Sequence, residues 1–334
     1  MRVLITGATG YLGSHVARRI AAAGHRVRAL CRPGSEARAP SGCESAIGDI
    51  CDRPSIERAL AGCDALVHMA ALVRTWSSRR ADFDRVNVAG LSSVLRAAEE
   101  AGVGRIVYTS TIVALGPTDG RIGDEDSFDR RDRRFCTDYE RTKWIAEGMV
   151  RERIAAGLPA VVVYPGVVYG PGAATEGNLL RRMLARHLEA GLRTRLGRGD
   201  NRICHAFVED VADGHLAALE RGAPGRGYVL GGENVTQDDL FSVLEQLTGV
   251  PSPRWRIPYA AAEAAGAVLQ GLAWISGRRP AVTPGVVRTF RHEWAYSSDR
   301  AMREIGYRVT PLREGLRRTL EALRAEGAGG PGPG

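Results

Sequence analysis

The stretch RVLITGATGYLGSHVARRIAAA, residues 2–23, decides the fold. A short β-branched run, Val3–Thr6, leads into Gly7, Gly10 and Gly13, and a helical period follows over Leu12–Ala23. Glycines let the backbone turn sharply and approach a pyrophosphate. The helix N-terminus behind them offers N–H donors and partial positive charge. The spacing is GxxGxxG rather than GxGxxG. Three glycines alone are a weak pattern; a strand before them and a helix after them point to a dinucleotide-binding turn.

Outward from this turn the pattern repeats. Val27–Leu30, Ala65–Met69, Arg105–Ser110 and Ala160–Tyr164 read as buried parallel strands. Helical periods at Ser55–Ala61, Phe83–Ala101 and Asp138–Ala156 lie between them. The alternation predicts an α/β fold, a Rossmann doubly wound parallel sheet, with ligands at the carboxyl ends of its strands. After Pro171 helices at Gly177–Ala190, Glu209–Arg221 and Gln237–Leu247 alternate with loops and short strands such as Arg226–Leu230. The expected organisation is a Rossmann domain over residues 1–170 with a return segment at about 203–231. A smaller, mainly helical C-terminal substrate domain takes 171–202 and 232–326, and a Gly- and Pro-rich tail, 327–334, is expected to be disordered.

Composition narrows the function. With 334 residues and 44% hydrophobic content the chain can bury a sizeable core. The net charge of +8 is spread in short arginine stretches without interleaved aromatics, which does not point to nucleic acid. The six cysteines, at 31, 43, 51, 63, 136 and 204, form no CxxC pair and no cluster at metal spacing. They read as reduced thiols in a cytoplasmic protein without a bound metal. The start of the chain has no leader-like region, and there is no apolar run of about 18 residues, so no membrane insertion is expected. The most apolar helical stretch, Tyr259–Ser276, reads as a pocket or subunit-contact helix.

One oddity stands out among the basic residues. Of 46 Lys plus Arg, only Lys143 is a lysine. Arginine and lysine serve alike on a solvated surface, but not where an ammonium point charge must be placed. Lys143 follows Tyr139 by four residues in Tyr139-Glu-Arg-Thr-Lys143, which puts both on one helix face. The ammonium is expected to sit near the phenol oxygen and the nicotinamide ribose, and to lower the tyrosine pKa for proton transfer. A hydroxyl at the end of the fifth strand, Thr111 or else Ser110, would hydrogen-bond the substrate oxygen beside Tyr139. Cofactor choice rests on Cys31-Arg32. No acidic residue is present there for ribose hydroxyls, and Arg32 either pairs with a 2′-phosphate, favouring NADP over NAD, or stacks on adenine. Asp49 either accepts from the adenine amino group or caps the next turn.

These motifs together resemble the extended short-chain dehydrogenase/reductase family of the NAD-dependent epimerase/dehydratase superfamily. The likeness spans nearly the whole chain: TGATGYLG at 6–13, GDI at 48–50, HMAA at 68–71, RVNVAG at 85–90, YTST at 108–111, YERTK at 139–143, YPGVVYGPG at 164–172 and FVEDVADGH at 207–215. The nearer likeness is to the dihydroflavonol reductase-like branch, and residues 114–120 and 135–143 are similar to plant farnesol dehydrogenase. The resemblance implies that Gly7, Gly10 and Gly13, with Tyr11 and Leu12 between them, hold the pyrophosphate. It implies that Asp49 and Ile50 hold the adenine, that Ala70 and Ala71 line the cofactor, and that Asn87 supports the site. Thr111, Tyr139 and Lys143 become the catalytic triad, and Tyr164, Pro165, Gly166 and Val167 lie against the nicotinamide. Thr111 departs from the commoner Ser, and Arg32 conflicts with the NAD that the farnesol dehydrogenase likeness implies. The resemblance also implies a homodimer through the helices at Phe83–Ala101 and Asp138–Ala156.

Three function classes are in play. The first is an alcohol/ketone oxidoreductase acting on an apolar or aromatic small molecule, for which Val73, Trp76, Val113, Leu115 and the Tyr259–Trp274 segment offer apolar contacts. Each of these also suits ordinary core. The second is a nucleotide-sugar epimerase or dehydratase with retained NAD, in which Arg202 faces a diphosphate or is simply a surface arginine. A dehydratase would need an extra acid beside Thr111, and Ile112 and Val113 offer none. The third, a cofactor-sensing protein without turnover, leaves an intact Thr111, Tyr139 and Lys143 unexplained.

Overall fold

The computed structural model describes residues 1–129, 131, 134–173 and 175–328. Strand β1 (Arg2–Thr6) passes through the glycine turn into α1 (Tyr11–Ala22), and β2 (Arg26–Cys31), β3 (Glu44–Ile47), α2 (Arg53–Leu60) and β4 (Ala65–His68) follow. The single helix expected over Phe83–Ala101 is in three pieces: α3 (Ala81–Asp84), a π turn (Arg85–Gly90) and α4 (Leu91–Glu100). Next come β5 (Arg105–Thr109), the one-turn α5 (Ile112–Leu115), α6 (Asp138–Ala155) and β6 (Ala160–Pro165). The chain then makes β7 (Val167–Tyr169), α7 (Leu179–Ala190), β8 (Thr194–Leu196), β9 (Ile203–Phe207), α8 (Val208–Arg221) and β10 (Gly227–Leu230). It ends with β11 (Asn234–Val235), α9 (Gln237–Thr248), β12 (Trp255–Ile257), α10 (Tyr259–Ser276), α11 (Pro284–Thr289), α12 (Asp299–Ile305) and α13 (Leu312–Ala328). Helix α13 takes in the first two residues of the expected tail; residues 329–334 lie outside those described.

Seven strands form one parallel sheet in the order β10-β6-β5-β4-β1-β2-β3. The order reverses between β1 and β4, so the crevice of a doubly wound sheet opens at the ends of those two strands. The register pairs Thr6 with His68 on one side and with Leu30 on the other, which sets the glycine turn at that switch point. Side-chain alternation builds both faces of the core. Leu4, Leu66, Ile106, Tyr108, Val162 and Tyr164 pack toward α2, α4 and α6. Val3, Ile5, Val67, Val107, Val161 and Val163 pack toward α1, α8 and α12.

The later segments carry more strand than their sequence suggests. β9 runs parallel to β7 and antiparallel to β11 in a second sheet, and β8 pairs with β12 in a third. A separate apolar cluster joins α7, α9 and α13 to this second sheet through Leu184, Phe207, Leu240, Leu244 and Leu316. These strands are two to five residues long. They are too short to show a period of their own and are set by their partners.

Burial holds His68, His205 and His215 neutral, pushing them down from 6.5 to about 3, about 4 and about 4. Unfolding returns them to water, where they take up protons near pH 6.5. Between about pH 6.5 and 4 the unfolded chain therefore binds more protons than the folded one. Their contribution is complete above that window and is lost as pH falls through it. Urea unfolding at stepped pH is expected to show the midpoint dropping across this range; a flat midpoint would contradict the assignment.

Candidate active site

The glycine turn is shaped by close contacts rather than by glycine content alone. Gly7 has φ +79°, in the left-handed region, and a Cβ there would lie 2.8 Å from the Ala70 nitrogen. A Cβ on Gly13 would lie 2.0 Å from the Gly7 carbonyl oxygen. These two contacts let α1 start directly over the end of β1 and beside the end of β4. Gly10 caps α1 without a side-chain hydrogen bond, and no acidic residue sits in the first helical turn. The N–H groups of that turn are left to a ligand, and the helix end favours an anion. This arrangement fits the pyrophosphate of a dinucleotide. Thr6 secures the floor: its hydroxyl is hydrogen-bonded to His68 Nδ1 at 2.8 Å and accepts from the Met69 and Ala70 nitrogens at 3.2 Å each. Tyr11 is buried, Leu12 half-buried, and Gly172 and Gly177 close over the Tyr11 ring.

The proton-transfer candidates converge at the end of β5. Thr137 caps α6 by accepting from the Glu140 nitrogen at 3.1 Å, which starts the helix just before Tyr139. The Thr111 hydroxyl lies by the Tyr139 phenol and caps α5, accepting from the Val113 nitrogen at 3.3 Å, whereas Ser110 is buried beside Tyr108. Of the two strand-end hydroxyls, Thr111 is the one next to Tyr139. Lys143 is only 3% exposed. Its Nζ donates to the Thr109 carbonyl at 2.9 Å and to the Tyr108 hydroxyl at 3.2 Å, and lies 4.9 Å from the centre of the Tyr108 ring.

One expectation is corrected here. Lys143 was expected to lower the Tyr139 pKa, but in this structure burial pushes the phenol up to about 12, with only the neighbouring Thr111 hydroxyl pulling it back. The ammonium is spent on β5. Burial pushes Lys143 itself down to about 8, while Glu147 one turn on favours its charge. Two of its three N–H donors are used within the protein.

The surrounding residues divide into those at the crevice and those behind it. Ala70 and Ala71 lie half-buried just after β4, against Gly7. Asn87, in the π turn, accepts from the Leu72 nitrogen at 2.7 Å and donates to the Leu72 carbonyl and to Thr142 at 3.3 and 3.1 Å. It ties the post-β4 loop to the lysine helix. Arg32 is exposed just past the end of β2, next to the glycine turn. Asp49 Oδ1 accepts from the Cys51 nitrogen at 2.8 Å, so one carboxylate oxygen does cap the next turn; Ile50 is buried beneath Gly90. Tyr164 departs from its expected place against the nicotinamide. Its ring is buried in the core, its hydroxyl donates to Glu147 at 2.6 Å, and Arg151 donates to that hydroxyl at 2.9 Å. Pro165 ends β6. Gly166 lets the chain pass within contact of Cys204, and Val167 is partly exposed.

Of the substrate-side candidates, Val73 is exposed, Trp76 is half-buried, and Val113 packs at the margin of the core on α5. Arg202 is not free to meet a diphosphate. Its Nε and one terminal nitrogen hold Glu293 at 3.0 and 3.1 Å. Three residues behind the site lacked an assigned role in the sequence: His68, stacked on Tyr108 with ring centres 6.1 Å apart, Tyr108 itself, and Glu147. A signal existed for Glu147, because Tyr139, Lys143, Glu147 and Arg151 continue one i, i+4 row.

The NAD dependent epimerase/dehydratase family matches residues 3–231. The chain belongs to that family. It is 30% identical over 325 residues to a putative dihydroflavonol 4-reductase of Synechocystis sp., covering 93% of this chain and 91% of that one. It is 33% identical over 348 residues to a 4-hydroxy-2-methyl-3-oxo-4-farnesyl-3,4-dihydroquinoline-1-oxide ketoreductase of Stigmatella aurantiaca, covering 99% and 98%. The dTDP-glucose 4,6-dehydratase of Streptomyces venezuelae, solved with NAD bound, is similar in structure, with a TM-score of 0.78 and 25% identity over 98% of each chain. The family is NAD-dependent and holds both reductases and epimerases, and this chain shares its parallel sheet.

A Gly13→Ala side chain has no room without moving the turn. The dissociation constant for the dinucleotide is expected to rise about tenfold or more, following an overpacking cost of about 1–3 kcal/mol. Titration of reduced-cofactor fluorescence checks this; unchanged affinity would remove the turn from the binding site.

Proposed function

We propose that this protein is an NAD(P)-dependent oxidoreductase that moves a hydride between nicotinamide and an alcohol, ketone or aldehyde of an apolar or aromatic small molecule. The observation that carries the reading is the convergence of Thr111, Tyr139 and Lys143 at the carboxyl end of β5, on the same edge of the sheet as the glycine turn. When bound, the nicotinamide supplies or takes the hydride; the protein's part is orientation and the proton. The high pKa of Tyr139 keeps the phenol protonated near neutral pH, the form required to give a proton to a developing alkoxide. Thr111 holds the phenol in place and offers the same oxygen a second hydrogen bond. Lys143, Gly7, Gly10 and Gly13 are assigned to the cofactor. Arg32, with no acidic residue at the end of β2, favours NADP, with NAD as the alternative.

The second reading, a nucleotide-sugar epimerase or dehydratase with retained NAD, draws on the structural likeness to the dehydratase. Against it, the arginine it needs for a diphosphate is engaged by Glu293. Apolar Val73, Trp76 and Val113 on the substrate side suit a less polar molecule. The relatives' names add reductases, one of them acting on a farnesyl-bearing ketone.

Two experiments test the proposal. Tyr139→Phe is expected to cut kcat by about 10²–10⁴-fold while dinucleotide binding persists, read from absorbance of reduced nicotinamide with a panel of ketones and alcohols. Wild-type turnover in the variant would end the catalytic assignment, and tightly retained, non-exchanging NAD on the purified protein would move the reading to the epimerase. Arg32→Glu is expected to move the NADP-to-NAD ratio of kcat/KM about tenfold or more toward NAD, since a charged hydrogen bond contributes about 1.5–3 kcal/mol.

A further inference from the structure

Helix α10 is built the wrong way round for a surface helix. Its buried positions, Ala262, Gly266 and Ala273, are small, and its large apolar side chains face outward. Val268 is 64% exposed, Leu272 56%, Trp274 63% and Ile275 87%, with Leu269 beside them. The other exposed positions between residues 260 and 275 are alanines, so that outward arc carries no charge, and its hydrogen-bonding groups are the Trp274 ring N–H and the half-buried Gln270 at its edge. The lone acidic side chain of the helix, Glu263, is turned onto Arg288 of α11 and onto Arg291 just beyond it. Eighteen residues make a ridge about 27 Å long. Contiguous exposed apolar surface of this kind marks a docking face.

Its margins are basic. Arg278 is exposed immediately after the helix, and Arg74 is exposed close to Arg279. Neither has a carboxylate partner among the described residues. Arg254 and Arg256 are exposed just before the helix, the latter shared with Asp238. A two-fold contact through α10, whether the two copies run parallel or antiparallel, would set arginines against arginines at its ends. An anionic sheet of lipid headgroups meets both ends with opposite charge while the apolar arc enters the boundary beneath. Tryptophan at that depth, apolar in its body and polar at its N–H, is suited to it.

The same face adjoins the mouth of the site. Arg279 donates to Thr75 at 2.8 Å and pairs with Glu176, which fastens the end of α10 to the loop carrying Val73 and Trp76. On its inner side α10 rests on α11 through Gly266 and Pro284, and α11 rests through Gly285 on Cys136 and Thr137, where the Tyr139 helix begins. We infer that α10 seats the protein on an anionic lipid surface, lying in its interface without crossing it, with the substrate entrance turned toward that surface. The delivery of a lipid-soluble substrate rests on the redox reading above; the seating itself does not.

Flotation of the full chain with phosphatidylcholine vesicles, with and without phosphatidylglycerol, tests this without turnover. The protein is expected to float with the anionic vesicles and to stay largely in solution with phosphatidylcholine alone. Leu272→Glu with Ile275→Glu is expected to abolish flotation, with dinucleotide binding retained as the check on folding. Arg74→Glu with Arg278→Glu is expected to weaken partition by roughly 30-fold or more, from about 1 kcal/mol for each basic residue at the surface. No flotation of the wild type, or flotation that survives Leu272→Glu with Ile275→Glu, would overturn the inference. A wild-type dimer that the same variant splits into monomers, without vesicle binding, would assign the face to a second copy instead. Because vesicle binding is read apart from activity, its failure would leave the redox reading standing.

Discussion

The site depends on one buried charge. Lys143 sits inside the protein, and an ammonium there is tolerated only because oxygen acceptors meet it. The Thr109 carbonyl and the Tyr108 hydroxyl supply them from the end of β5, and Glu147 adds opposite charge from the next turn of α6. Those contacts fix the lysine helix against the strand end. They thereby fix the distance between Tyr139, one turn earlier, and the crevice where the dinucleotide turn opens.

The supporting layer is polar as well as apolar, and it links elements far apart in sequence. Thr6 holds His68, whose ring stacks on Tyr108, which holds Lys143. Asn87 ties the loop after β4 to Thr142, the neighbour of that lysine. The π turn that carries Asn87 interrupts an otherwise regular helix, as such turns often do near functional sites. Tyr164, Glu147 and Arg151 close the layer from β6. Buried polar groups in this layer hold the side chains around Lys143 in one arrangement.

Much of this was legible in the chain. The β-α alternation follows from side-chain periods of two and 3.6, which local sequence records directly. The glycine turn was legible because a strand and a helix flank it, and the Tyr139–Lys143 pair because an i, i+4 spacing has one meaning on a helix. The short strands β7, β8, β9, β11 and β12 were largely not, since their pairing partners lie up to about sixty residues away and no local period announces them. The direction of the Tyr139 pKa was also misjudged. Spacing places a lysine near a tyrosine but says nothing of the acceptors that claim its N–H groups.

The sequence by itself determined the β-α order of the first half, the glycine turn between β1 and α1, and Tyr139 and Lys143 as candidates on one helix face, because each is carried by neighbours along the chain. Only the tertiary structure decided which strand-end hydroxyl meets Tyr139, and that Arg202 is held by Glu293. It alone turned the Tyr164 ring into the core and the apolar side of α10 to the outside. All of these are set by contacts between distant segments, and burial is a property of what a residue is packed against. A composition-based reading takes Tyr259–Ser276 for a pocket or contact helix. Its small residues facing inward and its large ones outward are known only once α11 is seen lying against it.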